Sequence, residues 1–356
     1  MERVGIKNLT RSELEKALAG LGAERYRARQ IFRWLYIVGV RSFDEMTDIP
    51  EDLRRKLKAK FHITHAALLD SRRSSLDSTT KYLLKLEDGN TVEAVLLPEE
   101  RRNTICLSSQ VGCKYCCGFC ASSIFGFVRN LKASEILDEA IFIKRERPSA
   151  QITNLVFMGI GEPFDNYNNV LKAIKIFNDS AAFNIGARRI TVSTCGIIPG
   201  IERLKNEGLQ VELSVSLHSA DDSKRSKLVP VNKIYPLKEL MKAARDYTDK
   251  TSRIITFEYV MLRDVNSSKD DAGKLARLLK GIKCKVNTIS YNRISPTATP
   301  FKPMKARDYE APSEADVKIF IRTLKEEGVN VVHRKSKGAD IEAGCGQLKA
   351  SRLKNA

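Results

Sequence analysis

The chain has 356 residues, 42% hydrophobic and 29% charged, which is ample for a large catalytic domain plus a small module and excludes disordered and fibrous classes. Lys and Arg outnumber Asp and Glu by 61 to 43, and the net charge of +18 favours a polyanionic partner such as nucleic acid. No apolar run approaches the roughly 20 residues that span a bilayer, and Met1-Glu2-Arg3-Val4 lacks the plan of a signal peptide, so a cytoplasmic protein with no membrane association is expected. In that reducing compartment its eight cysteines are expected to be free, metal-bound or catalytic rather than structural disulfides.

Thr10-Arg11-Ser12-Glu13 reads as a capping box opening a helix with Leu14, Ala17, Leu18 and Leu21 on one face, ended by Gly22. A second helical pattern runs through Ile31, Phe32 and Leu35, interleaved with Arg25, Arg27, Arg29 and Arg33. The third, from Pro50 to Phe61, carries Arg54, Arg55, Lys56, Lys58 and Lys60, so a small basic helical module is expected to meet RNA. The polar stretch from Asp70 to Ser78 reads as a linker. Two apolar-rich runs between Thr80 and Leu97 flank Asp88-Gly89, the dipeptide of a hairpin turn, and Pro98 is read as closing the second strand. Beyond Cys120 the pattern alternates: a helix from Ser134, a strand at Asn154–Met158 and a helix at Asn168–Phe177. Further strands are expected at Arg189–Ser193, Val211–Leu217, Ile254–Met261, Lys285–Tyr291 and Val329–His333. Such units imply a parallel sheet with its active site at the carboxyl ends of the strands, and too few strands to close an eight-stranded barrel.

Cys113-Lys-Tyr-Cys116-Cys117-Gly-Phe-Cys120 is the densest chemical signal. With Cys113, Cys117 and Cys120 chosen, three thiolates fill three irons of a 4Fe-4S cluster and leave one iron open to a small ligand such as S-adenosylmethionine. The alternative is zinc on all four thiolates, but its two Cys-x2-Cys hooks abut, whereas such hooks normally sit well apart.

Ordered motifs surround that loop: Cys106-Leu-Ser-Ser-Gln-Val-Gly-Cys113, Gly126-Phe-x-Arg-Asn-Leu131, Met158-Gly-x-Gly-Glu-Pro163, Ser216-Leu-His218, Val229-Pro-x-Asn232 and Cys345-Gly-Gln-Leu348. Together they resemble the RlmN/Cfr family of radical-SAM RNA methyltransferases. The resemblance implies an α/β fold built as a partial (β/α) radical-SAM barrel over residues 106–356. It adds a small N-terminal helical RNA-binding domain at 1–75 and a β-hairpin extension at 76–105. It implies a 4Fe-4S cluster on Cys113, Cys117 and Cys120, with S-adenosylmethionine held by Gly161, Glu162, Ser193, Ser216, Leu217, His218 and Asn292. By the same resemblance Cys345 carries the methyl group, Cys106 resolves the enzyme–RNA adduct and Glu93 accepts a proton. Cys116 is left as a spectator, Cys284 has no assigned chemistry, and Cys195 stands where the family pattern has serine.

Carbon 2 of adenine is electron-poor and its hydrogen is not acidic, so polar methyl transfer lacks a nucleophile and a radical route is required. The family route uses two S-adenosylmethionine molecules per turnover: one methylates Cys345, and the second is cleaved by the reduced cluster to a radical that activates that methyl group for addition to the base. Attack by Cys106 on the Cys345 sulfur then frees the RNA, leaving a disulfide bond. The implied substrates are 23S rRNA and tRNA, with a flavodoxin-like or artificial electron donor and a monomeric enzyme. A second reading is methylation of adenine carbon 8, against which Glu162-Pro163 argues, since alanine is expected after the glutamate in the carbon-8 pattern. A reading of a different class is a non-enzymatic, zinc-dependent RNA-binding protein.

Overall fold

The computed structural model describes residues 3–294 and 309–348; of the expected 1–75 and 106–356 units, residues 1–2, 295–308 and 349–356 lie outside the described residues. The N-terminal segment opens with β1 (Val4–Gly5) and α1 (Arg11–Ala19). The capping box forms as expected: Thr10 Oγ1 accepts the Glu13 N–H, and the Glu13 carboxylate accepts the Thr10 N–H at 2.7 Å. α2 (Arg27–Phe32) widens into a π-helical turn over Arg33–Val38, which Gly39 ends at φ 78°. α3 (Glu51–Lys60) leads into β2 (Phe61–His62), which pairs with β1. Leu14, Leu18, Ile31, Phe32, Leu35 and Leu57 are fully buried, so the apolar stripes read from the sequence are the core of this module.

The next strands are antiparallel neighbours: β3 (Ala67–Arg73), β4 (Thr80–Lys85), β5 (Thr91–Glu99) and β6 (Arg102–Cys106). Gly89 at φ 84° makes the expected hairpin turn between β4 and β5. Two expectations are corrected here. The presumed linker is in part β3, whose seven residues are all exposed; an edge strand held only by its backbone ladder shows no apolar alternation to read. Pro98 does not close β5 but pairs with Asn103 of β6, a strand the pattern did not reveal.

From β6 onward the sheet is parallel. After the ribbon of β7 (Gln110–Gly112) and β8 (Phe127–Asn130), the chain runs through α4 (Ala133–Glu146), β9 (Asn154–Phe157), α5 (Tyr167–Asn178) and β10 (Ile190–Thr194). It continues through α6 (Ile198–Leu204), β11 (Glu212–Ser216), α7 (Asp222–Leu228), α8 (Leu237–Thr251) and β12 (Ile255–Met261). The last elements are α9 (Lys269–Leu279), β13 (Cys284–Ser290), α10 (Glu314–Glu326) and β14 (Val331–Arg334). The strand order is β14-β13-β12-β11-β10-β9-β6-β5-β4-β3, so the sheet has two edges and the barrel stays open, as the strand count implied. Val192, Leu213, Val215, Phe257 and Val286 are buried in the core, and the carboxyl ends of β9 to β14 open onto one cavity.

Candidate active site

β6 delivers the cysteine loop to that cavity. Beyond Cys106 the chain packs on the glycine turn after β9: Gly159 N–H donates to Leu107 O (3.0 Å), and Ile160 O accepts from Ser109 N–H at 2.8 Å. Gly112, at φ 74°, passes so close to the ribbon that a Cβ there would lie 1.7 Å from Gly126 O. Cys113, Cys117 and Cys120 all line the cavity. Cys116 does not: its φ of 52° turns the side chain aside, and its thiol donates to Lys114 O at 3.4 Å. Burial pushes the Cys113 thiol up to about 12 and the Cys117 thiol well above its ordinary value. Among the described residues no three Cys, His, Asp or Glu side chains are grouped about a common point as a single metal ion requires.

The facing wall is made of strand ends. Gly161 has φ 104°, and a Cβ there would lie 2.5 Å from Gln110 Cβ, so only glycine lets the turn close on the cysteine segment. Glu162 is buried; its carboxylate accepts N–H groups from Phe164 (3.0 Å) and Cys195 (2.7 Å), which tie the end of β9 to that of β10. Burial raises its pKa, and those two N–H groups oppose the rise. Ser193, Ser216 and Asn292 line the cavity. Leu217 does not: its side chain is fully buried in the core, and its carbonyl accepts from Arg225 Nε at 3.1 Å. His218, at φ 57°, is buried edge-on to Phe119 with ring centroids 4.5 Å apart. Its Nδ1 accepts the Val260 N–H at 3.0 Å, so the neutral ring carries its proton on Nε2, which is buried without a partner. Desolvation, helped by the Arg225 charge, lowers this histidine to about 3.

The Cys345 loop closes the cavity from the C-terminal side. Asn292 Nδ2 donates to Cys345 O (3.3 Å), Gln347 Nε2 to Arg293 O (2.8 Å), and Ala121 N–H to Gly346 O (2.6 Å), so the loop is fastened to both the strand ends and the cysteine loop. A Cβ on Gly344 would lie 2.7 Å from Asn292 Nδ2, which explains one of the flanking glycines. Cys345 is the exposed member of the eight cysteines, and its exposure is to the cavity it lines. Protein surrounds it closely enough that desolvation raises its thiol pKa, against the Arg334 charge. Cys106 lies behind this wall, buried with Val95, Ile160, Ala343 and Leu348. Burial drives its thiol far up, and a charge on Cys345 would drive it further; Ala343, in the same cluster, lies two residues before Cys345. The expected Cys106–Cys345 disulfide is not formed; all eight cysteines are free. Glu93 is not an outward-facing strand residue. It is buried against Lys81 at 3.2 Å, and Lys81 also donates to Glu342 O, three residues before Cys345.

Residues 4–63 match the ribosomal RNA large subunit methyltransferase N-terminal domain, and residues 107–279 match the radical SAM superfamily. A protein of a Thermoanaerobacter species named as a probable dual-specificity RNA methyltransferase RlmN is 44% identical over 349 residues, 98% of each chain. The dual-specificity RNA methyltransferase RlmN of Pelobacter propionicus is 43% identical over 98% of this chain and 96% of its own. The chain belongs to the RlmN family of radical-SAM methyltransferases. A crystal structure of a radical SAM methyltransferase from Sphaerobacter thermophilus superposes with a TM-score of 0.89 at 41% identity, covering 97% of this chain and 99% of that one.

Three residues escaped the sequence reading, one behind the wall of this RlmN-family cavity and two on it. Arg225 of α7 is fully buried, and its guanidinium donates to Leu217 O, Ser216 O, Cys195 O (2.7 Å) and Asn232 Oδ1 (2.6 Å), lacing the ends of β10 and β11 together. Its signal was the Val229-Pro-x-Asn232 motif, whose Asn232 holds it. Glu258 of β12 and Arg334 of β14 line the same cavity, and neither stands in a recognisable motif. Cys195 is buried in the wall with its thiol hydrogen-bonded to Glu162, a role a serine would also fill. No helix among the described residues is long and apolar enough to cross a membrane.

Proposed function

We propose that this chain methylates carbon 2 of an adenosine in 23S rRNA and tRNA, with Cys345 carrying the methyl group. The observation that carries the reading is the convergence of Cys345 and the thiols of Cys113, Cys117 and Cys120 on one cavity, with a second thiol, Cys106, behind Cys345.

The residues fit the cofactors that the family uses. Three thiols face the cavity while the fourth cysteine turns away, which is the donor set of a 4Fe-4S cluster with one open iron. The unpartnered His218 Nε2 and the glycine turn at Gly161 make a cradle for a polar ligand, so Gly161, Glu162, Ser193, Ser216, His218 and Asn292, with the Leu217 backbone, are the proposed holders of S-adenosylmethionine. Bound there, these cofactors supply a methyl group and one-electron chemistry, two S-adenosylmethionine molecules serving each turnover. The chain's own part is positional and nucleophilic. Cys345 presents its sulfur from a loop fastened by Asn292 and Gln347. Glu93, paired with Lys81, takes the proton lost from the base, and Cys106 attacks the Cys345 sulfur to free the product. The apolar wall of Phe119, Phe157, Met158 and Val260 keeps water from the reacting groups.

The same reading assigns RNA contact to the basic helices within residues 1–75, sheet extension to 76–105 and catalysis to 106–356. It places the reaction in the cytoplasm, with an external one-electron donor and a monomeric enzyme. Glu162-Pro163 keeps carbon 2 ahead of carbon 8.

Variants at the two thiols test it. Cys345→Ala removes the methyl carrier, so no adduct forms. Cys106→Ala leaves the carrier intact but removes the group that severs it, so protein from cells should carry covalently attached RNA, seen as a nuclease-sensitive upward shift on a denaturing gel. The double variant should show no shift. Free, normally methylated RNA from Cys106→Ala would refute the two-thiol assignment.

A further inference from the structure

The cavity described above is lined by thiols, hydroxyls, aromatic rings and two carboxylates, Glu162 and Glu258. Among the described residues one lining side chain carries a permanent positive charge: Arg334, the last residue of β14. Arg334 is exposed where it lines the cavity, and among the described residues its guanidinium has no hydrogen bond and no ion pair, so its donors are open to a ligand; its charge is felt at Glu258, Cys106 and Cys345. Glu258 does not pair with it; its Oε1 accepts from Asn287 Nδ2 at 3.1 Å and from Ser214 Oγ at 3.3 Å.

The backbone that carries Arg334 is tied to the Cys345 loop. Ser336, two residues on, donates its hydroxyl to Asn292 Oδ1, and Asn292 Nδ2 donates to Cys345 O at 3.3 Å. A planar, five-donor guanidinium with its donors free thus lines the same cavity as the methyl-carrying cysteine. That is the chemistry of a bidentate phosphate anchor. An adenosine presented to Cys345 must leave its stack, a step costing on the order of a few kcal/mol, while its flanking phosphates stay on the backbone near the mouth.

We propose that Arg334 binds an RNA phosphate flanking the target adenosine and so holds the unstacked nucleotide against Cys345. This rests on the reading of the chain as an RNA methyltransferase whose methyl carrier is Cys345. The other anion that enters the cavity is the carboxylate of S-adenosylmethionine, and the experiment below separates the two by reading RNA binding apart from methylation of Cys345.

The test uses the full-length holoprotein, its Arg334→Gln and Arg334→Lys variants, and an unmodified tRNA transcript with fluorescence anisotropy as the readout. Loss of one phosphate contact lowers the slope of log affinity against log salt by about 0.7 for a single-stranded contact. Arg334→Gln should show that decrease and a raised KM for RNA, and Arg334→Lys should restore the slope but not the full affinity. A neutral methylphosphonate at the linkage beside the target adenosine should weaken binding to the parent protein and have no further effect on Arg334→Gln. An unchanged salt slope in Arg334→Gln overturns the proposal. If methylation of Cys345 without RNA, read by intact-protein mass spectrometry, is then slowed, the guanidinium serves the cofactor carboxylate; if nothing changes, it is a solvated side chain. Anisotropy reports the phosphate contact whichever adenine carbon is methylated, so failure of the functional reading and failure of this one remain distinguishable.

Discussion

Cys116 and Cys117 are adjacent in sequence and opposite in environment, and the difference lies in one torsion. A non-glycine residue at φ 52° costs about 1 kcal/mol, and Cys116 accepts that cost at the point where the loop must aim both its neighbours inward. Its thiol is spent on Lys114 O. Cys117 lies on the cavity wall beside Cys113 and Cys120; burial disfavours the thiolates of Cys113 and Cys117, and a bound cation reverses that preference. Cys116→Ala is therefore expected to retain iron and sulfide at the parent level, and Cys117→Ala to lose most of both under anaerobic purification. A full cluster in the Cys117 variant would move the ligand assignment to Cys116 and revive the four-thiolate alternative.

At the scale of elements, α4 joins the two parts of the chain. Asp138 on this helix accepts from Lys7 Nζ at 2.5 Å and from Thr64 Oγ1 at 2.6 Å, all three buried, and Lys7 also donates to Thr64 O. The next residue, Glu139, accepts the Ser108 N–H at 2.9 Å and so supports the segment between Cys106 and the cysteine loop. Breaking a buried pair from one side leaves an uncompensated charge, so Asp138→Leu should destabilise the fold by about 3–5 kcal/mol, whereas Lys7→Met with Asp138→Leu should recover most of that loss. Denaturant titration of both variants checks this, and equal destabilisation by the single and double changes would show that the ion pair does not hold the module down. The helices and parallel strands were legible because their apolar stripes and alternations are local. β3 and β6 were not, the first because an edge strand with both faces in solvent shows no alternation, the second because its five residues begin Arg-Asn-Thr and draw their partners from β5 and β9. The cysteine spacing pointed to the cavity, but the burial of Glu93 against Lys81 and the lacing by Arg225 depend on residues brought together from distant elements, which no local pattern encodes.

For the whole molecule, a net charge of +18 matters less than which cations are free to meet phosphate. The sequence pointed to α3, yet four of its five basic side chains have partners: Lys58 pairs with Asp44 at 2.5 Å, Arg55 and Lys56 with Asp52 at 2.8 Å, and Arg54 donates to Asp44 O. Each of these must give up a carboxylate or carbonyl before it gains a phosphate. Exposed pairs of this kind are worth only about 0–1 kcal/mol, but that is comparable to what one added contact gains, so the trade is close to neutral. Arg29 and Arg33, on and just after α2, are exposed, and their side chains have no ion pair among the described residues. Counterion release by these two is unopposed by any internal partner. Neutralising both as Arg29→Gln with Arg33→Gln is therefore expected to reduce the salt slope of RNA binding by about 1.4, roughly 0.7 per contact, while Arg54→Gln, Arg55→Gln and Lys58→Gln together reduce it by less despite removing one more charge. The comparison is read from affinity for one tRNA transcript at four or five salt concentrations, with cofactor cleavage as a control for the integrity of the cavity. If the triple change on α3 lowers the slope by about 2, the ion pairs seen on that helix open freely for RNA, and the module presents α3 rather than α2 to its substrate.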